Sequence, residues 1–207
     1  MAQIIQGIRS ILSMPAVYSL FGVLIGSASY RQVLARQYIC PKNRDRVLDI
    51  GCGPGDMFLY LPNVEYLGFD LSQAYIQAAR SRFGDRATFV CESVSTTTLK
   101  HSSYFDIVLA MGILHHLDDT EAIQLFQLAK TALKPGGRLI TFDGVFTNDQ
   151  SACARYILSK DRGQNVRTKN GYYQLATQVF PQIVVNIRHD LLRIPYTHII
   201  LECTRSE

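Results

Sequence analysis

Ten residues, Val47-Leu48-Asp49-Ile50-Gly51-Cys52-Gly53-Pro54-Gly55-Asp56, concentrate much of the chemistry that this 207-residue chain can offer. A run of strand formers ends in a glycine-rich turn. Glycine lacks Cβ and tolerates positive φ, so a backbone built from it can approach a ligand closely. Asp70 lies nineteen positions beyond Gly51, at the end of the next apolar run. A glycine turn followed at that distance by a carboxylate suits a nucleoside-containing cofactor whose ribose hydroxyls donate to Asp70. The sixth position of the pattern narrows the ligand. A dinucleotide fingerprint carries a third glycine there, beside a pyrophosphate. Here the position is Asp56, which repels a diphosphate and can accept from an ammonium group. His115 and His116, after the apolar run 105–110, and Asp143, after the run 138–142, are the candidates for a general base. Unperturbed histidine titrates at about pH 6.5, close to neutrality.

These residues need a frame that brings strand ends together. Strands are expected over 46–50, 64–69, 87–91, 105–110 and 138–142, the fourth a continuous apolar run of the kind covered on both faces. Helices are expected over 57–61, over 72–82 with Ser72 as cap, and over 119–133, stopped by Pro135-Gly136-Gly137. Asp118 and Asp119 suit the cap of that last helix. Further helical segments near 150–158 and 171–180 precede β-rich runs at 183–188 and 197–203. Alternation of this kind implies an α/β fold, a doubly wound, Rossmann-like, mostly parallel sheet, with the final pair as an antiparallel hairpin on its edge. Ligands on such sheets bind outside the C-terminal strand ends, near the switch point, where every residue named above falls.

The N-terminal 43 residues read as a helical cap. Ile4, Ile5, Ile8, Ile11 and Leu12 share one helical face. Pro15 opens a second helix, apolar nearly all round and therefore buried. A third, over 29–39 with Ser29 as its cap, turns Tyr30, Val33, Leu34 and Tyr38 inward. The apolar stretch 11–28 is interrupted by Pro15 and lacks the flanks of a signal peptide, so stable membrane insertion is not expected. Gly22 and Gly26 point to close packing; lid, homodimer contact and peripheral membrane contact stay open for this cap.

Composition bounds the function classes. Hydrophobic residues make up 47% and charged residues 18%, which excludes a disordered chain. A net charge of +4 does not demand nucleic acid but suits an anionic partner. Five scattered cysteines without a C-x-x-C argue against a zinc site or disulfide framework and fit a reducing cytoplasm; no metal is expected.

Four segments in order carry a family resemblance: Val47–Asp56, Tyr66-Leu67-Gly68-Phe69-Asp70-Leu71-Ser72, Phe105–Met111 followed by Leu114-His115-His116-Leu117, and Leu133-Lys134-Pro135-Gly136-Gly137-Arg138-Leu139. Across roughly residues 44–143 the chain resembles the class I S-adenosylmethionine-dependent methyltransferases. The resemblance implies S-adenosylmethionine as cofactor and in-line transfer of its methyl group. It implies that Asp49, Gly51, Cys52 and Gly53 line the methionine end and that Asp70 takes the ribose, with Leu71 against the adenine. Ala110 and Met111 would pack beside the methionine portion. The aspartate usual after the third strand is missing, which leaves Glu92, Ser93 and the Val94 backbone for the adenine amino group, or Glu92 as a solvated surface residue.

Recognition of the acceptor falls to the cap and to an insertion over 144–180 within a core of 44–207. Arg155, Lys160, Arg162, Arg167 and Lys169 against Asp161, interleaved with Tyr156, Tyr172 and Tyr173, suit a phosphate or carboxylate, or simply a solvated surface. Arg155, Tyr156, Arg162, Tyr172 and, from the cap, Tyr18 are the candidate substrate contacts. A small molecule methylated at oxygen or nitrogen is the leading expectation. An RNA or protein methyltransferase lacks support from a stacking-rich basic module. Met111-Gly112-Ile113-Leu114 also stands where amino-methylating nucleic-acid enzymes of this fold carry an N/D-P-P motif. A non-catalytic cofactor-binding module is the third reading.

Overall fold

The computed structural model describes residues 26–95, 99, 102–161 and 163–206. The two helices expected before residue 26, with Tyr18, and Arg162 lie outside the described residues. Among the described residues, no helix is long and apolar enough to cross a membrane.

One sheet organises the chain. Its strands are β1 (Arg46–Ile50), β2 (Glu65–Phe69), β3 (Thr88–Val90), β4 (Phe105–Met111), β5 (Leu133–Phe146), β7 (Gln182–Arg188) and β8 (His198–Thr204), in the order β3-β2-β1-β4-β5-β8-β7. A short β6 (Arg167–Thr168) pairs with the end of β5. The first five strands are parallel; β8 runs antiparallel between β5 and β7, forming the expected terminal hairpin. Strand order reverses between β1 and β4, so the crevice for a ligand opens over their C-terminal ends.

Helices cover both faces. On one side α3 (Asp119–Ala132) and α5 (Lys169–Thr177) pack on the sheet through Phe126, Ala129, Tyr172 and Ala176. On the other, α1 (Ser27–Leu34), extended by a π turn over Ala35–Ile39, joins α2 (Gln73–Phe83) through Leu34, Ile39, Ile76 and Phe83. Caps set the helix starts. The Ser72 hydroxyl accepts from the Tyr75 amide at 3.3 Å, and Asp118 and Glu121 form a reciprocal capping box at the head of α3. Ser151 opens α4 (Ala152–Ser159) in the same way, accepting from the Ala154 amide.

Three local expectations are corrected. The segment after the glycine turn is a 3₁₀ turn, Asp56–Tyr60, and not an α-helix. Pro62 disfavours helical geometry at Leu61 and ends it after one short run. Ser29 lies inside α1, whose N-cap is Gly26 in the left-handed region. Pro135-Gly136-Gly137 does not stop α3, which already ends at Ala132. These residues form a bulge in β5, where the register with β4 slips between Phe105↔Leu133 and Ile107↔Arg138. A proline has no amide to give a ladder, so a bulge accommodates it. Arg138, just beyond, donates to the carbonyls of Tyr38 and Ile39 at 3.0 and 2.6 Å and fastens the end of the cap helix to the sheet.

Candidate active site

The glycine turn leaves β1 with two amides, Gly51 and Cys52, donating to the Phe69 carbonyl at 2.7 and 2.9 Å. Gly51 has φ +74°, and a Cβ there would stand 2.1 Å from Ile113 Cδ1. Gly53 has φ +54° with no atom near where a Cβ would stand, so its outer side is open. The Asp70 carboxylate ties this turn to the next helix: Oδ2 accepts from the Gly53 amide at 2.9 Å and Oδ1 from the Ser72 amide at 2.8 Å. Each carboxylate oxygen keeps a second acceptor position, which suits ribose hydroxyls.

Asp49, next to last in β1, has 2% of its surface exposed. One oxygen accepts from the Tyr66 hydroxyl on β2; Oδ1 is buried without a hydrogen-bond partner. Burial, with Asp70 nearby, pushes its carboxyl up to about 7 despite the Tyr66 bond. Cys52 is a buried thiol held well above its ordinary range by burial and by Asp49, and it is not a nucleophile here.

Two clefts meet at Gly51, which lines both. The larger, about 1020 Å³, is bordered by Asp70, Leu71, Glu92, Ser93, Val94 and Ile113 before it runs along α3. Leu71 is 54% exposed and presents an apolar face at its mouth. The smaller, about 130 Å³, is bordered by Asp49, Cys52, Gly53, Met111 and Phe142, and by Tyr30 and Arg31 from α1. Tyr30 stacks on Phe142 at 5.1 Å, and Arg31 pairs with Asp56 at 3.1 Å, so the cap helix covers this end. Of the residues proposed to hold the cofactor, all but Ala110 border one of these clefts; Ala110 is fully buried in β4.

The histidines lie deeper, in a 3₁₀ turn, Leu114–His116, and border neither cleft. His115 is bracketed by carboxylates: Nδ1 lies 2.7 Å from Asp143 and Nε2 lies 3.4 Å from Asp161. Tyr196 donates to the other Asp161 oxygen at 2.7 Å. Burial raises the Asp143 carboxyl against the opposing pull of His115. Burial also works against ionised Asp161, yet His115, the Gly163 amide and Tyr196 together bring it below the usual range. The His116 ring lies 4.1 Å from that of His115. His198, stacked on Phe142 at 4.4 Å, is pushed down to about 3 by burial and stays neutral.

Among the described residues, the candidate substrate contacts Arg155, Tyr156 and Tyr172 do not meet at either cleft. Tyr156 is 65% exposed on α4, and Arg155 donates to the Thr147 carbonyl at 2.9 Å. Tyr172 is fully buried, its hydroxyl donating to the Gly144 carbonyl at 3.0 Å. None of the three borders a cleft. Arg31, Tyr66, Asp161 and Tyr196 belong to the site without having been anticipated. Only Tyr66 left a signal, a tyrosine two positions before a glycine on the strand beside Asp49.

Residues 47–137 match the family model described as "Methyltransferase domain". Phosphoethanolamine N-methyltransferase 1 of Triticum aestivum is 33% identical over 157 residues, covering 72% of this chain and 31% of that protein. Ubiquinone biosynthesis O-methyltransferase of Yersinia enterocolitica is 28% identical over 111 residues, 51% of this chain and 45% of that one. Among solved structures, phosphoethanolamine N-methyltransferase 2 of Haemonchus contortus, in complex with phosphomonomethylethanolamine and S-adenosylhomocysteine, shares the fold with a TM-score of 0.74 at 17% identity, covering 96% of this chain and 59% of that one. The chain thus spans less than half the length of these two curated relatives. The matched domain, with its strand order, its glycine turn and Asp70, gives residues 47–137 as a methyltransferase domain on the class I S-adenosylmethionine-dependent methyltransferase fold.

Proposed function

We propose that this protein binds S-adenosylmethionine across the two clefts and transfers its methyl group to an oxygen or nitrogen of a small molecule. The observation that carries this reading is the meeting of the clefts at Gly51, with a carboxylate on each side, Asp70 toward one and Asp49 toward the other. The residues fit the cofactor: the side of Gly53 is open, and the buried Asp49 Oδ1 has an acceptor's lone pairs to spare. Asp70 takes the ribose, Leu71 flanks the adenine, and Glu92, Ser93 or the Val94 backbone takes its amino group. Asp49 faces the ammonium end, and Arg31 brings a cation to the carboxylate end. When bound, the cofactor supplies an electrophilic methyl group on a sulfonium, so the protein's work is positioning, worth about 7–11 kcal/mol of barrier. His116 is the residue assigned to take the acceptor's proton, because both ring nitrogens of His115 already face carboxylates. His115 is then a positioning residue. The acceptor is assigned to the methionine-end cleft that α1 covers, and the relatives make a phosphorylated amine or a small molecule methylated at a hydroxyl the first classes to screen.

Calorimetric titration with S-adenosylmethionine and, separately, NAD⁺ tests the reading. Micromolar binding of the first alone is expected. Binding of NAD⁺, or of neither, overturns it.

A further inference from the structure

The buried edge of the methionine-end cleft holds a contact that the family reading does not use. Asp49 on β1 stands directly opposite Gly68 on β2, and Tyr66 lies two residues back on the same face of that strand. Because Gly68 carries no side chain, the Tyr66 ring leans across its position. A Cβ on Gly68 would lie 3.1 Å from Tyr66 Cε1 and 2.8 Å from Cys52 Sγ. The hydroxyl thereby reaches Asp49, and Tyr66 itself is buried among Phe58, Phe89 and the floor of the glycine turn. One carboxylate oxygen is thus fixed from behind by a neutral donor. The other has no hydrogen-bond partner, in a residue that borders the cleft.

A carboxylate isolated from water in this way is costly to keep charged until a cation arrives. The groups facing Asp49 do not supply one directly. Tyr66 comes from β2, Asp70 from the turn after it, and Cys52 from the glycine turn; each is neutral or negative. Arg31, in the same cleft, pairs with Asp56, which also accepts from Arg82 at 2.6 Å, so both guanidiniums are held on Asp56; Met111 and Phe142 carry no charge.

We propose that Tyr66 is a positioning residue for cofactor binding: across Gly68 it holds Asp49 as a proton-exchanging acceptor, so that binding of the cofactor's ammonium end drives a proton off Asp49 into solvent. The inference rests on the proposed function, since it needs that ammonium. The balance is simple. The Asp49 O–H bond breaks, its proton passes to buffer, and the carboxylate left behind pairs with the ammonium. The burial that pushes the Asp49 carboxyl up to about 7 makes the exchange observable near neutrality, and the Tyr66 hydroxyl bond opposes that rise.

The test is calorimetric titration of the full chain with S-adenosylhomocysteine, which has the same amino-acid end. It is run at pH 6.0 and 7.5 in buffers of different ionisation enthalpy, and the ligand's own α-amino titration, at about 7.7–8.0 for a group of this kind, is measured in parallel and subtracted. For the unaltered protein, more proton release is expected at pH 6.0 than at pH 7.5, with affinity several-fold weaker at the lower pH. Tyr66→Phe keeps the ring and removes the donor, so the inflection moves up and release at pH 7.5 rises. Asp49→Asn abolishes both the release and the pH dependence, with circular dichroism confirming that it folds. Proton release unchanged in Asp49→Asn, or a pH profile unmoved in Tyr66→Phe, overturns this inference alone. Absence of any binding by the unaltered chain overturns the proposed function and this inference with it.

Discussion

At the ends of β1 and β2 the crevice is fastened by backbone amides, whereas at the ends of β4 and β5 it is fastened by buried charged side chains. In the first region, Gly51 and Cys52 donate to Phe69, and Gly53 and Ser72 donate to Asp70. In the second, His115 sits between Asp143 and Asp161, and Arg167 holds the carbonyls of Leu114 and Leu117 at 2.9 and 2.8 Å. Backbone amides are supplied by any sequence that can fold the turn, and they hold a shape for a ligand that does not vary. Side-chain links are specified one residue at a time, so each depends on the particular residues present. The difference predicts that damage in the first region is read mainly as lost cofactor affinity, and damage in the second mainly as lost stability.

Asp143→Ala should show the largest effect. It removes a fully buried partner and leaves His115 with its remaining carboxylate only. Breaking a buried pair from one side costs about 3–5 kcal/mol. For a chain of this size that is a fall in Tm of roughly 6–20 °C, measured by thermal unfolding. Affinity for S-adenosylhomocysteine, measured on the folded variant, should stay within about twofold of the unaltered chain, because Asp143 borders neither cleft. A lost affinity with an unmoved Tm would break the division between the two regions.

Asp70→Ala is the next largest and the reverse case. Cofactor affinity should weaken at least about tenfold, equivalent to 1.4 kcal/mol, while the half-buried position keeps the loss of stability smaller. Asp70→Asn retains one acceptor oxygen for an amide and should fall between. Near-unchanged affinity in Asp70→Ala would remove the ribose assignment and leave Asp70 as a tie between two turns.

The same division explains what could be read from the sequence. Strands β1 to β5 announce themselves as apolar runs at regular spacing, and the links around Asp70 join residues within one motif, Gly53 to Asp70 to Ser72. The bulge at Pro135 and the 3₁₀ turn after Gly55 were not legible as such, because each is decided by which hydrogen bonds a neighbouring strand or a following proline leaves available. Tyr172 illustrates the other limit. In a basic, tyrosine-rich segment it reads as a substrate contact, yet it shares with Leu175 and Ala176 the face of α5 that packs on the sheet. Asp161 and Arg167 reach the histidine turn, and Tyr196 reaches Asp161, from segments remote in sequence, and no periodicity announces such a meeting. Tyr66 is intermediate: the register of β1 against β2 places it, and Gly68 is the mark that a side chain passes there.

Arg167→Lys, set against the still smaller effect of Asp119→Ala, gives the sharpest test of how the second region is held. The guanidinium donates to three carbonyls, those of Leu114, Asn165 and Leu117, and also meets Asp119 at 2.7 Å. Its own side chain is 11% exposed but that of Asp119 is 73% exposed, so the ion pair is screened and contributes little. The carbonyls are what the planar fork serves, and a lysine ammonium on a flexible stem cannot reach all three. Arg167→Lys should therefore cost about 1–2 kcal/mol in denaturant unfolding, and Asp119→Ala less than about 1 kcal/mol. Equal losses in the two variants would mean that the ion pair, and not the grip on the histidine turn, is what Arg167 contributes. A larger loss in Arg167→Lys, with cofactor affinity held, fixes the turn that carries His115 and His116 as a structure maintained from the insertion and not from the glycine loop.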